Sequence, residues 1–331
     1  MDAKPVFGPA GSPWMDAIDV HHHIIPDFYA AELRELGGST VLSGVDRPTW
    51  SRSGSIAMMD RQGIRAAIVS LWPGVPSLDR ARGRALARRL NEYLAEFVAA
   101  GDGRFGAFAV LPFPHLDDCV AEFVHAIDVL GLDGLGLLTN YDGLYVGDRR
   151  LDPLLAEAER RRTPIFVHPA VPPAAGQPSF GLPLSLYEFP FETVRLVAQL
   201  LYNGTLERFP ELRIILPHGG GGVSYYADRL TYGPVINGDL ADRLPDDPLA
   251  VLRRLYFDVA MCGRHALASL RLFADPERVL VGSDYPFMPE SLGASIGAGV
   301  ARHADLDPAW WAAVNRSNAA KLFARFPSTG E

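Results

Sequence analysis

The chain reads as an α/β protein, a (β/α)8 TIM-like barrel with a long loop insertion after the first strand, on three observations. Eight short runs rich in Val, Ile and Leu recur along its 331 residues, at Ala17–His23, Ala66–Leu71, Gly106–Leu111, Gly134–Thr139, Pro164–His168, Arg213–His218, Leu255–Ala260 and Val279–Asp284. Apolar residues at helical spacing fill the segments between them, as in Ala81–Ala100, Leu116–Leu130, Leu151–Arg162, Phe191–Arg208 and His265–Phe273. Strands apolar on both faces and alternating with helices form parallel sheets, and eight such units close into a barrel. The competing architecture, an open doubly wound sheet, lacks its signature, because no G-x-G-x-x-G follows the first run.

Taken in order, residues 1–16 carry Pro5, Gly8, Pro9, Gly11 and Pro13 and read as an arm without regular structure. The barrel domain spans 17–326, and 327–331 form a tail. The first run ends in three histidines set between Ile18/Val20 and Ile24/Ile25, an apolar setting unlike that of an appended tag. Side chains alternate along a strand, so His21 and His23 share one face and His22 takes the other. Asp19 falls on the face of His21, as a partner behind it or as a buried structural carboxylate. A helix over Asp27–Leu36 follows, then a long polar loop over Gly37–Arg52 with Arg47, Trp50 and Arg52. Loops of that length inside a compact domain are usually functional, and this one is a candidate substrate lid.

Composition narrows the partners. A net charge of −8 and a pI near 5.6 leave no basic stripe to neutralise phosphates, so nucleic acid is not expected. The arginines of Arg80–Arg89 are spaced as a solvated helix face. No run of eighteen apolar residues and no signal-peptide pattern occur, which points to a cytoplasmic protein without a membrane partner. Cys119 and Cys262 are too few and too far apart for a disulfide framework or a thiolate metal site, and read as core residues.

In a barrel of this kind the chemistry lies at the C-terminal ends of the strands. The polar residues there are His21 and His23 on the first strand, His168 on the fifth, His218 on the sixth and Asp284 on the eighth. Imidazole nitrogens with a carboxylate oxygen suit one divalent ion, Zn2+ first and Mn2+ as the alternative. His21, His23, His168 and Asp284 are the metal ligands of this reading, with His218 a further ligand or an acid–base group beside them. The fourth strand ends in Leu137, Leu138, Thr139 and Asn140, with no lysine to bridge a second ion, so the site is mononuclear.

The stretches I-D-V-H-H-H-I-I-P, P-I-F-V-H-P, I-I-L-P-H-G-G-G-G followed by A-D-R, and V-G-S-D-Y-P-F together resemble the amidohydrolase superfamily. Within it they are similar to the metal-dependent decarboxylases that act on aminocarboxymuconate semialdehyde and on salicylate, resorcylate and 6-methylsalicylate. The likeness runs in order from about Ile18 to Phe326. It implies His21, His23, His168 and Asp284 as metal ligands and His218 as a catalytic residue. It also implies that the segment Leu186–Arg208, with L-Y-E-F-P-F-E-T, packs at a subunit contact of a homodimer or homotetramer. Two departures stand out: P-A-V-P-P follows His168 where an acidic residue follows P-W in the muconate enzymes, and the substrate-binding arginines do not align uniquely with Arg47, Arg52 or Arg229.

The activity implied is non-oxidative loss of CO2 from a small aromatic or unsaturated carboxylic acid, with an ortho-hydroxybenzoate such as a 6-methylsalicylate-type acid in front. Asp284 is the proton donor of this reading, assisted by His218. Substrate contacts are expected from Arg47, Trp50, Arg229 and Phe287, with Phe180, Tyr187 and Phe189 as further aromatic candidates. The alternative is a metal-dependent hydrolase of a lactone or amide, in which the same ligands activate a water. A third class, an inactive barrel serving as a binding subunit, predicts a broken ligand set, and here every position is filled.

Overall fold

Eight strands form one sheet in chain order: β1 (Ala17–His23), β2 (Ile64–Ser70), β3 (Phe105–Ala109), β4 (Gly134–Leu138), β5 (Pro164–His168), β6 (Arg213–Leu216), β7 (Tyr256–Asp258) and β8 (Val279–Leu280). Each neighbouring pair is parallel. Parallel bridges Asp19–Val281 and His22–Tyr285 join the last strand to the first and close the barrel. The computed structural model describes residues 14–36, 41–42, 45–173, 180–289, 292–293, 296–297, 300 and 307–327. Most of the N-terminal arm and of the tail, and residues 37–40 and 43–44 of the expected lid, lie outside the described residues.

Helices cover the sheet where the apolar periodicity places them. They are α1 (Asp27–Glu35), α2 (Arg52–Gln62), α3 (Arg80–Ala99), α4 (Leu116–Asp128), α5 (Asp152–Arg160), α6 (Leu184–Tyr202), α7 (Val223–Thr231) and α8 (Arg264–Phe273). Helix α2 has no counterpart in the sequence reading, since its apolar periodicity is weak. Its caps define it: Ser51 accepts a hydrogen bond from the Gly54 amide, and Gly63 ends it in the left-handed conformation at φ 77°. The helix expected over Phe191–Arg208 starts earlier and stops at Tyr202, and Gly204 (φ 64°) separates it from a single turn at Thr205–Arg208. Among the described residues no helix is long and apolar enough to cross a membrane.

Two cores follow from the layering. The larger lies between sheet and helices; the smaller fills the barrel with Ile18, Val20, Ile68, Phe108, Phe166, Ile215 and Leu280. Leu322, Phe323 and Phe326 from the C-terminal segment complete that interior from below, with Phe323 edge-on to Phe108 at 5.8 Å and Phe108 stacked on Phe166 at 5.3 Å. Each such ring removed from water stabilises the fold by about 2–3 kcal/mol. The filled interior is a floor, and the histidines collect at the opposite mouth. Strands β6, β7 and β8 stop before His218, Ala260 and Asp284, which places His218 and Asp284 on the turns just past their strand ends.

Candidate metal centre

The centre begins with an irregularity in β1. Its pairing with β2 slips between Asp19 and His22. Ile18 and Val20 point into the barrel interior, and so does His21, whose ring lies 4.9 Å from that of Phe166. Such a bulge re-aims side chains beside a site. It also corrects the expected placement of Asp19. Strict alternation puts Asp19 with His21, whereas the slip puts its carboxylate against His22, whose Nδ1 donates to Asp19 Oδ2 at 3.1 Å. His22 faces the helices, as alternation predicts, and its Nε2 meets Ser55 Oγ at 2.9 Å.

The other histidines converge. His21 Nε2 lies 3.0 Å from His23 Nε2, and both lie 3.3 Å from Asp284 Oδ1. The ligating atoms of His21, His168, His218 and Asp284 all fall within 4.8 Å of one another, and His218 Nε2 is 3.6 Å from Asp284 Oδ2. Two of these residues occupy left-handed backbone, His218 at φ 57° and Asp284 at φ 56°. That conformation costs a non-glycine residue about 1–3 kcal/mol. Backbone bonds hold both in place: the His218 amide donates to Asp258 Oδ1 at 3.0 Å and the Asp284 amide to His21 O at 2.8 Å. The glycines after His218 have a related cause. Gly220 sits at φ 72°, and a Cβ there would stand 2.8 Å from the Phe257 ring.

Three rings are oriented by their far nitrogens. His21 Nδ1 donates to Asp258 Oδ2 at 2.9 Å, His23 Nδ1 to Ser70 Oγ at 2.9 Å, and His168 Nδ1 to the Pro169 carbonyl at 2.8 Å. With the proton on Nδ1, each presents a bare Nε2 lone pair, which is the arrangement metal-binding histidines adopt. Two imidazole nitrogens and a carboxylate oxygen facing one another at 3.0–3.3 Å repel unless a proton or a metal ion lies between them. Ligands about 2.0–2.1 Å from a tetrahedral ion stand about 3.3 Å apart, so the observed spacing fits a divalent ion.

Protonation in the absence of metal expresses the same demand. Burial disfavours charge on His21, yet the carboxylates of Asp258 and Asp284 outweigh it and push its pKa up to about 10. Burial pulls His23 down to about 4 against its hydrogen bond to Asp284. Burial, reinforced by His23 and His21, holds His168 well below the usual imidazole range. At Asp284 burial works upward, but the surrounding histidines, His21 first, hold the carboxyl well below the ordinary carboxylate range. Asp258 is the residue the sequence reading missed. It is fully buried at the end of β7 and also accepts from the Ala260 amide at 2.9 Å.

An aromatic wall borders the centre. Trp72 lies 5.4 Å from the His168 ring and 5.5 Å from Phe287, Phe287 lies 5.3 Å from His23, and Phe189 lies 5.8 Å from His168. A small cavity opens here, lined by His23, Ser70, Trp72, Val110, Tyr141 and His168 among others. Of the expected substrate contacts, Phe287 is at this wall. Trp50 is elsewhere: its indole donates to Ser55 Oγ at 2.8 Å and packs on Phe97, on the helix side of β1. Arg47 lies near enough to Tyr29 for its charge to act on that phenol, whose hydroxyl donates to Gly74 O at 2.5 Å in the loop after β2. Arg229 is exposed on α7, and Phe180 is 77% exposed. Trp72 was not anticipated, since its loop has no periodicity to read.

A protein-family model described as amidohydrolase matches residues 18–325. The chain is 35% identical over 293 residues to decarboxylase yanB of Aspergillus niger, covering 84% of this chain and 79% of that protein. It is 33% identical over 282 residues to the 6-methylsalicylic acid decarboxylase acuB of Aspergillus aculeatus, covering 82% and 84%. Its fold matches the crystal structure of 5-carboxyvanillate decarboxylase from Novosphingobium aromaticivorans, complexed with manganese and 4-hydroxy-3-methoxy-5-nitrobenzoic acid, with a TM-score of 0.81. That match covers 98% of this chain and 100% of the other at 21% identity, and speaks for the fold alone.

Proposed function

Because this chain belongs to the amidohydrolase family, we propose that it is a metal-dependent, non-oxidative decarboxylase of a small aromatic acid, with an ortho-hydroxybenzoate of the 6-methylsalicylate type as substrate. One observation carries the reading: a cation-demanding cluster of His21, His23, His168 and Asp284 stands beside an aromatic wall of Trp72, Phe189 and Phe287. The relatives of the chain are themselves decarboxylases.

Those four residues would hold one divalent ion, Zn2+ by the nitrogen-rich donor set and Mn2+ as the alternative. Bound there, the ion would supply a Lewis acid for the substrate carboxylate. Asp284 divides its oxygens, Oδ1 toward His21 and His23 and Oδ2 toward His218 Nε2. Asp284 is ionised at rest, so a proton handed from His218 Nε2 to Oδ2 is the one that passes on to the ring carbon bearing the carboxylate, and His218 is reprotonated from solvent. The bond to the carboxylate carbon then breaks, its electron pair returns to the ring, and CO2 departs. The aromatic wall flanks the ring and keeps water from the carbon being protonated.

Metal-reconstituted protein should release CO2 from a panel of salicylate-type acids, lose that activity with a chelator, and leave lactones and amides intact. Lactone cleavage without CO2 release would favour the hydrolase instead. Full turnover by Asp284→Asn with metal still bound would sink the proton-donor assignment.

The chain is further read as a homodimer. Leu186 and Phe191 on α6 and Tyr232, Val235 and Ile236 after α7 are exposed apolar residues that a second copy would cover, and light scattering at twice the chain mass is the expected result. Two buried free thiols, Cys119 and Cys262, suit a reducing, cytoplasmic setting.

A further inference from the structure

The indole of Trp72 carries a polar group that the fold leaves unsatisfied. Trp72 is 8% exposed, and its Nε1–H has no hydrogen-bond partner among the described residues. Buried donors are almost always paired, and each exception calls for a reason. The neighbouring polar groups around the same cavity are engaged: Ser70 Oγ meets His23 Nδ1 at 2.9 Å, and Tyr141 OH accepts from the Leu138 amide at 3.1 Å. The contrast with Trp50 is direct, since that indole, at the back of β1, donates to Ser55.

The indole packs against the rings of His168, Phe189 and Phe287, and none of these contacts uses its N–H. The Trp72 ring stands 5.4 Å from His168 and lines the same small cavity as His23 and His168. The charged end of an aromatic acid is drawn to the histidine cluster. What reaches Trp72, on the flank, is a substituent at the edge of the ring.

We propose that Trp72 Nε1–H donates a hydrogen bond to the hydroxyl oxygen of the bound substrate, making Trp72 a specificity-determining residue that selects hydroxylated aromatic acids over those bearing the carboxylate alone. A site built to hydrogen-bond a hydroxyl rejects the analogue that lacks it, because the buried donor is then left unpaired. The inference rests on the decarboxylase reading only for its choice of ligand.

The test is a binding cycle that needs no turnover. Salicylate and benzoate are titrated calorimetrically at low temperature into Mn2+-loaded wild-type protein and into the Trp72→Phe variant. Loss of one such bond weakens salicylate binding by about tenfold in the variant, while benzoate binding changes by less than about twofold. Equal loss for both ligands, or no loss for salicylate, overturns the proposal, as does failure of the wild-type protein to bind salicylate. Should the variant fold poorly, the wild-type protein provides an independent measurement. Its indole N–H resonance from Trp72, one of five tryptophans, should move downfield with salicylate and not with benzoate. Absence of that selective shift also overturns the proposal. CO2 release is scored separately, so a protein that shows the coupling but releases no CO2 refutes the decarboxylase reading and leaves the role of Trp72 standing.

Discussion

Replacing Asp258 by Asn changes one atom in kind and none in number, and it should disable the centre without touching any proposed ligand. Asp258 Oδ1 accepts from the amides of His218 and Ala260, and Oδ2 accepts from His21 Nδ1. In the variant the amide oxygen must keep the two backbone donors, since an NH2 group cannot face them. The NH2 group is therefore turned toward His21 Nδ1, which can pair with it only by giving up its proton. The proton moves to His21 Nε2, the atom that should present a lone pair to the metal. Losing such a partner lowers metal affinity by about 10- to 100-fold, equivalent to about 1.4–2.8 kcal/mol. Titration of Zn2+ against a chromogenic chelator measures this. Unchanged circular dichroism would show that the backbone contacts of Oδ1 survive. A variant that folds and binds Zn2+ within about twofold of wild type would refute the reasoning.

Four other outcomes are expected. His21→Ala or His23→Ala should abolish metal binding. His22→Ser should keep it within about twofold while lowering stability by about 1–3 kcal/mol, because Asp19 and Ser55 lose a buried partner; metal analysis with chemical denaturation separates the two. Gly282→Ala would set a Cβ 2.7 Å from Asp258 Cγ and 2.9 Å from His21 Cβ, so a lower melting temperature and at least about tenfold weaker metal binding are predicted; a variant with both unchanged contradicts that packing. Finally, metal-free His21 keeps its proton up to about pH 10, whereas His23, at about 4, has already lost its own by neutral pH. Each ion bound at neutral pH must therefore displace one proton, and apparent affinity should rise about tenfold per pH unit between pH 6 and 8. Calorimetry in two buffers of different ionisation enthalpy counts the proton, and a flat profile counts against the assignment.

The barrel and the converging histidines were legible because both obey simple periodicities. An apolar run that ends in a polar residue marks a strand end, and closure brings such ends to one mouth, which is how His21, His168, His218 and Asp284 were found. Asp258 escaped because the run Leu255–Ala260 continues past it, so a buried carboxylate at a strand end looked like an interruption in a strand. The slip after Asp19 escaped because alternation carries no information about an inserted residue. Trp50 and Trp72 lie on irregular segments where spacing says nothing about direction. Trp50, an expected substrate contact, faces the helices, and Trp72 stands beside His168.

The polar chain behind β1 bears on how nucleophiles are recognised in proteins. Asp19, His22 and Ser55 stand in the order carboxylate, imidazole, hydroxyl, with spacings of 3.1 and 2.9 Å, the same order that activates serine in hydrolases. Here the hydroxyl is sealed from solvent and already receives the indole proton of Trp50, while the carboxylate also takes the hydroxyl proton of Ser283 at 2.6 Å. No acyl group can reach it. The arrangement instead ties the loop before α2 through β1 to the residue preceding Asp284, so that a constellation known for attacking carbonyls serves as a mechanical brace. What distinguishes a nucleophile from a strut is an approach path to the oxygen, not the sequence of groups behind it.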